Sequence, residues 1–204
     1  MLDTAFPRIA GDVACPDSYR EAVELIRVPA RVADVVRADP EALDVAPWED
    51  ALARARGDVV TTSCGFLAPW QAHLAALADR PVLASVLNAP PVADALVLTY
   101  DAAALGPAHL AGWDARVAGL PPGGHLRAVI GGDAPRLDWV RAEAEAVATA
   151  HHALTDEAAL VLECTNLPPY APALRMATER PVHHLLTALE ALRPGLVRPV
   201  FLTA

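Results

Sequence analysis

From residue 41 onward the apolar positions alternate between helical stripes and short continuous runs, the pattern of helices interleaved with buried strands. Glu41 to Arg56 carries its apolar residues at helical spacing and stops at Gly57, a fitting C-terminal glycine. Val59 to Thr61 then predicts a short strand, Leu67 to Ala78 a helix and Val82 to Leu87 another strand, before Asn88-Ala89-Pro90-Pro91 breaks the pattern. Beyond the break, Ala95 to Thr99 predicts a strand, Ala102 to Ala111 a helix, and Leu126 to Ile130 a strand ended by Gly131-Gly132. Asp133 is placed to cap a long Ala-rich helix with Pro135 in its first turn. Ala158 to Leu162 is a further strand, and His184 to Leu192 a last helix ahead of the tail Pro199 to Thr203. Such alternation implies parallel sheets under helical cover.

Two stretches of this pattern superimpose without a gap. TTSCGFLAPW (Thr61 to Trp70) and VLECTNLPPY (Val161 to Tyr170) each follow an apolar run, and Cys64 falls on Cys164, Leu67 on Leu167, Pro69 on Pro169 and Trp70 on Tyr170. The register continues through Leu74 on Leu174 and Arg80-Pro81-Val82 on Arg180-Pro181-Val182. A repeat of this kind fixes architecture before detail does. It describes a duplicated unit of strand, cysteine turn, helix and next strand, with Trp70 and Tyr170 as equivalent core aromatics. The expected fold class is therefore α/β, with two pseudo-symmetric parallel-sheet domains, helices on both faces, and an active site in the cleft between them. The proline-rich break and the second repeat divide the chain into a first domain of residues 1–88 plus 183–204 and a second of 89–182.

The composition narrows the function. A chain of 204 residues, 54% hydrophobic, buries a sizeable core. Its apolar runs are too short for a membrane span, and no basic stretch followed by an apolar one opens it, so a cytoplasmic protein with no membrane partner is expected. A net charge of −9 without a basic face argues against nucleic acid. All 16 basic residues are arginine, and with no lysine a pyridoxal phosphate Schiff base is closed off. Three cysteines without paired close spacing form neither a disulfide framework nor a zinc motif. His151-His152 and His183-His184 are adjacent pairs that point apart and read as packing or surface residues, so no metal site is expected.

In open parallel sheets ligands bind beyond the carboxyl ends of strands, where helix N-termini present free N–H groups. Cys64 and Cys164 are both predicted there, and a helix N-terminus lowers a thiol pKa from roughly 8.5 towards neutrality. Two such thiols facing one molecule suit a two-base proton transfer at carbon, one removing a proton and the other returning one on the opposite face. Thr62, Ser63, Thr165 and Asn166 would offer donors to the carboxylate beside the carbanion. Cys15 has no counterpart in the second half and reads as an incidental thiol. Arg8 is the candidate partner for an acidic group on the substrate.

With LDTAFPRIAGD at the N-terminus, the motifs TTSCGF and LECTNLPPY resemble the aspartate/glutamate racemase superfamily, which also holds hydantoin racemases, arylmalonate decarboxylases and maleate isomerases. The resemblance spans nearly the whole chain. It implies two similar α/β domains, no cofactor, and Cys64 and Cys164 as the acid/base thiols. Asp3 and Thr4 match the pair that members place near the first cysteine, and Thr62, Ser63, Gly65, Thr165 and Asn166 fall on the substrate-binding positions. The chain departs from glutamate racemases at Asn166, where they carry histidine, and at Gly65-Phe66, where they carry Asn-Thr. It also begins almost at Asp3, so either the first strand is short or a start lies upstream. The expected activity is a cofactor-independent racemase or epimerase of a small chiral carboxylate or amino-acid derivative, with a homodimer as a further possibility. A decarboxylase or cis-trans isomerase using one thiol, or a non-catalytic binding relative, stays open.

Overall fold

A computed structural model describes residues 1–110 and 112–202 as a mixed α/β fold with parallel sheets. The helices are α1 (Val32–Val35), α2 (Ala46–Arg54), α3 (Gln71–Leu77), α4 (His125–Gly131), α5 (Trp139–Ala153), α6 (Ala171–Thr178) and α7 (Leu185–Leu192). The strands are β1 (Val60–Thr61), β2 (Val82–Leu83), β3 (Ala95–Thr99), β4 (Arg116–Gly119), β5 (Ala159–Leu162) and β6 (Val182–His184).

The two sheets are unequal. One holds four parallel strands in the order β4-β3-β5-β6, and the other only β1 and β2, two residues each. The central strands β3 and β5 are runs of Ala, Leu and Val buried along their whole length, as expected of strands covered on both faces. Leu96, Leu160 and Leu162 are fully enclosed, and burying each is worth about 1.5–3 kcal/mol. In the first half an isolated parallel bridge between Leu2 and Val28 extends what the short β1–β2 pair begins. The last segment lies against the N-terminal one: Tyr19 bridges Val197, Arg20 N–H donates to the Leu196 carbonyl at 3.0 Å, and Arg193 pairs with Glu21. Hydrogen bonding pairs all of β6 with β5 in the four-stranded sheet.

Several of the expected elements differ: the strand expected over 82–87 ends at Leu83, with a 3-10 turn at Val86–Asn88, and the helix expected over 67–78 is α-helical only from Gln71. Leu126 to Ile130 is not a strand but the body of α4, with Leu126, Val129 and Ile130 buried at helical spacing. The strand lies earlier, at β4, a half-exposed edge that pairs only with β3. The expected helix over 102–111 is a series of hydrogen-bonded turns up to Leu110, because Pro107 removes a donor and disfavours helical geometry at Gly106. The ends of two expected elements, Ala111 and Thr203, lie outside the described residues. Asp133 does not cap α5. Asp138 does, accepting the Arg141 N–H at 3.1 Å, whereas Asp133 adopts φ 52° and its carboxylate accepts the N–H groups of Ala5 and Phe6 at 2.6 and 3.0 Å. The helix expected over 41–56 is also shorter, with a 3-10 turn at Pro40–Ala42 ahead of α2.

Candidate active site

Cys64 and Cys164 each stand just beyond a strand, β1 and β5, and just ahead of a 3-10 turn, Gly65–Trp70 and Pro168–Tyr170. The α-helices α3 and α6 begin only at residues 71 and 171. Neither thiol therefore sits at an α-helical N-terminus, and the expected lowering of their pKa does not occur. Burial, then the negative charge of Glu163, pushes Cys64 up to about 12, against smaller opposing effects of the Phe66 N–H and the Arg8 guanidinium. The same two causes push Cys164 up as well.

Both thiols line one narrow cavity with Leu2, Phe6, Arg8, Tyr100 and Glu163. Its volume is about 20 Å³, room for a single water. A larger cavity of about 290 Å³ also touches Cys64 but is bounded by the N-terminal segment, α2 and α7, and includes neither Cys164 nor Asn166. The narrow cavity is thus where the two thiols meet. Cys15 and His183 line neither.

Hydrogen bonds across this cavity join the two cysteine motifs. Thr165 Oγ1 donates to the Ser63 carbonyl at 2.7 Å, and Ser63 Oγ accepts the Leu2 N–H at 3.1 Å. Thr62 Oγ1 lies 2.7 Å from the Ala84 carbonyl and accepts the Cys64 N–H at 3.3 Å. These three hydroxyls, expected to hold a substrate carboxylate, are each hydrogen-bonded to backbone, Ser63 as acceptor only. Asn166 Nδ2 donates to Asp12 Oδ2 at 2.6 Å, and Asn166 Oδ1 lies 3.9 Å from Cys164 Sγ. Asp12 also accepts from Arg8 at 3.1 Å, and Arg8 Nη2 donates to Thr4 Oγ1 at 3.0 Å. Asp3 points outward into an exposed pair with Arg27 and takes no part in the cavity.

Two buried groups in the cavity are left without partners. Arg8 Nε has no acceptor, and Glu163 Oε1 has no donor. Glu163 is 1% exposed; its other oxygen accepts from Thr99 Oγ1 at 2.6 Å, and burial raises its carboxyl to about 7. Gly65 packs against it so closely that a Cβ there would fall 2.5 Å from the Glu163 carbonyl oxygen. Sequence reasoning missed Glu163, although a carboxylate between the buried run of β5 and a cysteine was the available signal. Trp70 and Tyr170 are not equivalent either: Tyr170 is enclosed beneath Trp139 with ring centroids 4.9 Å apart, whereas Trp70 is half-buried against His73. Among the described residues no three His, Cys, Asp or Glu side chains cluster as a metal site, and no helix is long and apolar enough to cross a membrane.

No family model matches the chain. It is 26% identical over 223 residues to a dimethylsulfoniopropionate lyase of Durusdinium sp. clade D, an alignment covering 96% of this chain and 73% of the relative. It is 27% identical to dimethylsulfoniopropionate lyases 7 and 6 of Emiliania huxleyi (strain CCMP1516), again over 96% of the chain but only 65% and 58% of those proteins. These relatives correct the expectation from sequence. They are named as lyases, not as members of the aspartate/glutamate racemase superfamily, and the assignment to that superfamily is withdrawn. The racemase or epimerase activity, its two-base scheme and the decarboxylase and isomerase alternatives are withdrawn with it.

Proposed function

We propose that the chain is a carbon–sulfur lyase that eliminates dimethyl sulfide from dimethylsulfoniopropionate. The observation that carries this reading is the cavity holding two thiols beside a buried arginine with an unengaged N–H, in a chain whose relatives are named for that reaction. The elimination needs one base. The proton on the carbon next to the carboxylate is removed, its bonding pair becomes the new carbon–carbon double bond, and the carbon–sulfur pair leaves with sulfur. The products are acrylate, neutral dimethyl sulfide and a proton on the base.

In this reading Arg8 holds the substrate carboxylate through Nε, stabilising the enolate-like charge that develops there. Cys64 is the base. The Arg8 charge favours its thiolate. Cys164, Thr165 and Asn166 complete the opposite wall. The two cysteine-bearing units then act as facing halves of a pseudo-symmetric pair, with the reaction in the cleft between them. A cavity of about 20 Å³ does not admit an eight-heavy-atom substrate, so its lining must open on binding.

The test is direct incubation with dimethylsulfoniopropionate, following dimethyl sulfide by headspace gas chromatography and acrylate by proton NMR. Equimolar release, abolished in Cys64→Ser, is the expected result. No acrylate from the wild-type protein, or undiminished release in both Cys64→Ser and Cys164→Ser, would sink the reading.

A further inference from the structure

The unpartnered oxygen of Glu163 is the least explained group in the molecule. Buried carboxylates in folded proteins are hydrogen-bonded or paired, because an unmet acceptor forfeits its hydration for nothing. Here Thr99 serves one oxygen, and the other is enclosed and meets no N–H or O–H group, on a side chain that lines the cavity shared by the two thiols. Gly65 packs against it so closely that any side chain there would collide with it.

The nearby cation does not serve it. Arg8 has both terminal nitrogens committed, to Asp12 and to Thr4, and its remaining Nε is itself unpartnered. One cavity therefore holds a buried positive group with a free donor and a buried negative group with a free acceptor. A ligand that satisfies both carries a carboxylate at one end and a positive charge at the other. The cavity lining also indicates which kind of cation suits Glu163. Phe6, Phe66 and Tyr100, with the aliphatic Leu2 and Ile130, supply apolar surface, which suits a soft alkylated onium ion better than a hydrated ammonium, although Arg8 already lies over the Phe6 ring at 4.2 Å and Arg127 over that of Tyr100 at 5.0 Å.

We propose that Glu163 is the counter-ion for the onium group of the ligand, making the site selective for zwitterions that carry a carboxylate and a sulfonium or quaternary ammonium two carbons apart. This deepens the lyase reading and rests on it for the identity of the reaction. Glu163 touches the cationic end and does not take the proton. Its role is to hold the leaving group's charge until the carbon–sulfur bond breaks and that charge disappears. The other titratable or charged groups around it are Cys64, Cys164, Tyr100, Arg8 and Asp12.

A matched pair of unreactive analogues tests the proposal. 3-(Trimethylammonio)propanoate and 4,4-dimethylpentanoate have nearly the same shape and the same carboxylate, and differ in the positive charge. Titration calorimetry is run on the whole chain at about pH 8.5, where a carboxyl of this kind is ionised. The wild-type protein is expected to bind the cationic analogue at least about ten-fold more tightly than the neutral one, as a charge pair at an effective dielectric of about 20 requires. Glu163→Gln should erase that preference while keeping the affinity for the neutral analogue, and Glu163→Asp should restore part of it. Equal binding of the two analogues by the wild type, binding of neither, or a preference that survives in Glu163→Gln overturns the proposal. The acrylate assay separates the two failures. Acrylate release without charge preference leaves the lyase reading standing and removes this one, and charge preference without acrylate does the reverse.

Discussion

Gly65→Ala tests the packing on which the shared cavity depends. A Cβ at this position would lie 2.5 Å from the Glu163 carbonyl oxygen and crowd its carboxyl as well. The backbone of Gly65 is not in the left-handed region, so the conflict is purely one of space. Rotating the Glu163 side chain relieves only half of it. The carbonyl must also retreat, by about 0.9 Å to reach ordinary contact, and Glu163 N–H is tied to the Leu98 carbonyl at 2.9 Å. Overpacking of this kind costs about 1–3 kcal/mol, and the backbone shift places this case at the upper end. Urea denaturation should show the midpoint lowered by that amount with the slope unchanged. Gly123→Ala is the control: nothing lies within 4 Å of its Cβ, so it should be neutral or slightly stabilising. A Gly65→Ala protein within about 0.5 kcal/mol of wild type would refute the close approach of the two cysteine motifs.

Thr165→Val removes the hydroxyl that donates to the buried Ser63 carbonyl at 2.7 Å and should cost about 1–3 kcal/mol by urea denaturation; a loss under about 0.3 kcal/mol would mean the carbonyl finds another donor. Glu163 carries a pH signature whose sign follows from its raised carboxyl, about 7 in the fold against 4.5 unfolded. The folded state holds the proton more tightly, so its stabilising effect is complete below pH 4.5 and is lost as pH rises through 7, by about 3 kcal/mol in all. Glu163→Gln should therefore gain stability on wild type by that order between those limits, and parallel curves for the two proteins would contradict the burial. His184, lowered to about 3 by burial, acts oppositely: its contribution is present above 6.5 and falls away towards 3, so Glu163→Gln should expose a steeper loss on the acid side than wild type shows.

The parts legible in the sequence were those written in local pattern. β3 and β5 are uninterrupted apolar runs bounded by turn residues, and they form where expected. Leu126 to Ile130 is interrupted by Arg127, and a stretch of five cannot distinguish strand from helix; the buried set at 126, 129 and 130 is helical only once a partner surface chooses it. β4 was invisible because Arg116-Val117-Ala118-Gly119 is a half-exposed edge with one long apolar residue, held by pairing with β3 and not by its own propensity. The two thiols were found because the repeat aligned them. Glu163 was not, because its environment comes from Thr99, 64 residues away, and from Gly65 in the other motif. The racemase expectation was overturned by the relatives, which are named as lyases. A pair of thiols says that a proton can be taken from carbon, but inversion or elimination then depends on the leaving group, which belongs to the substrate and leaves no mark in the cysteine motifs.

The raised thiols pose a difficulty that the arrangement of charges eases in part. A cysteine held near 12 is almost wholly protonated at neutral pH and is a poor base. The causes, however, are burial and the negative charge of Glu163, and the second is cancelled when a cation lies against that carboxylate. An onium ligand would then lower both thiols by neutralising Glu163 and adding positive charge of its own, while the larger effect of burial remains. The ultraviolet absorbance of the thiolate reads this out. Saturating 3-(trimethylammonio)propanoate should shift the wild-type titration curve to lower pH by about one unit or more, whereas 4,4-dimethylpentanoate should leave it in place or raise it by further burial. The same curve with either analogue would show that Glu163 does not control the thiols, and the base in the lyase reaction would have to be sought elsewhere in the cavity.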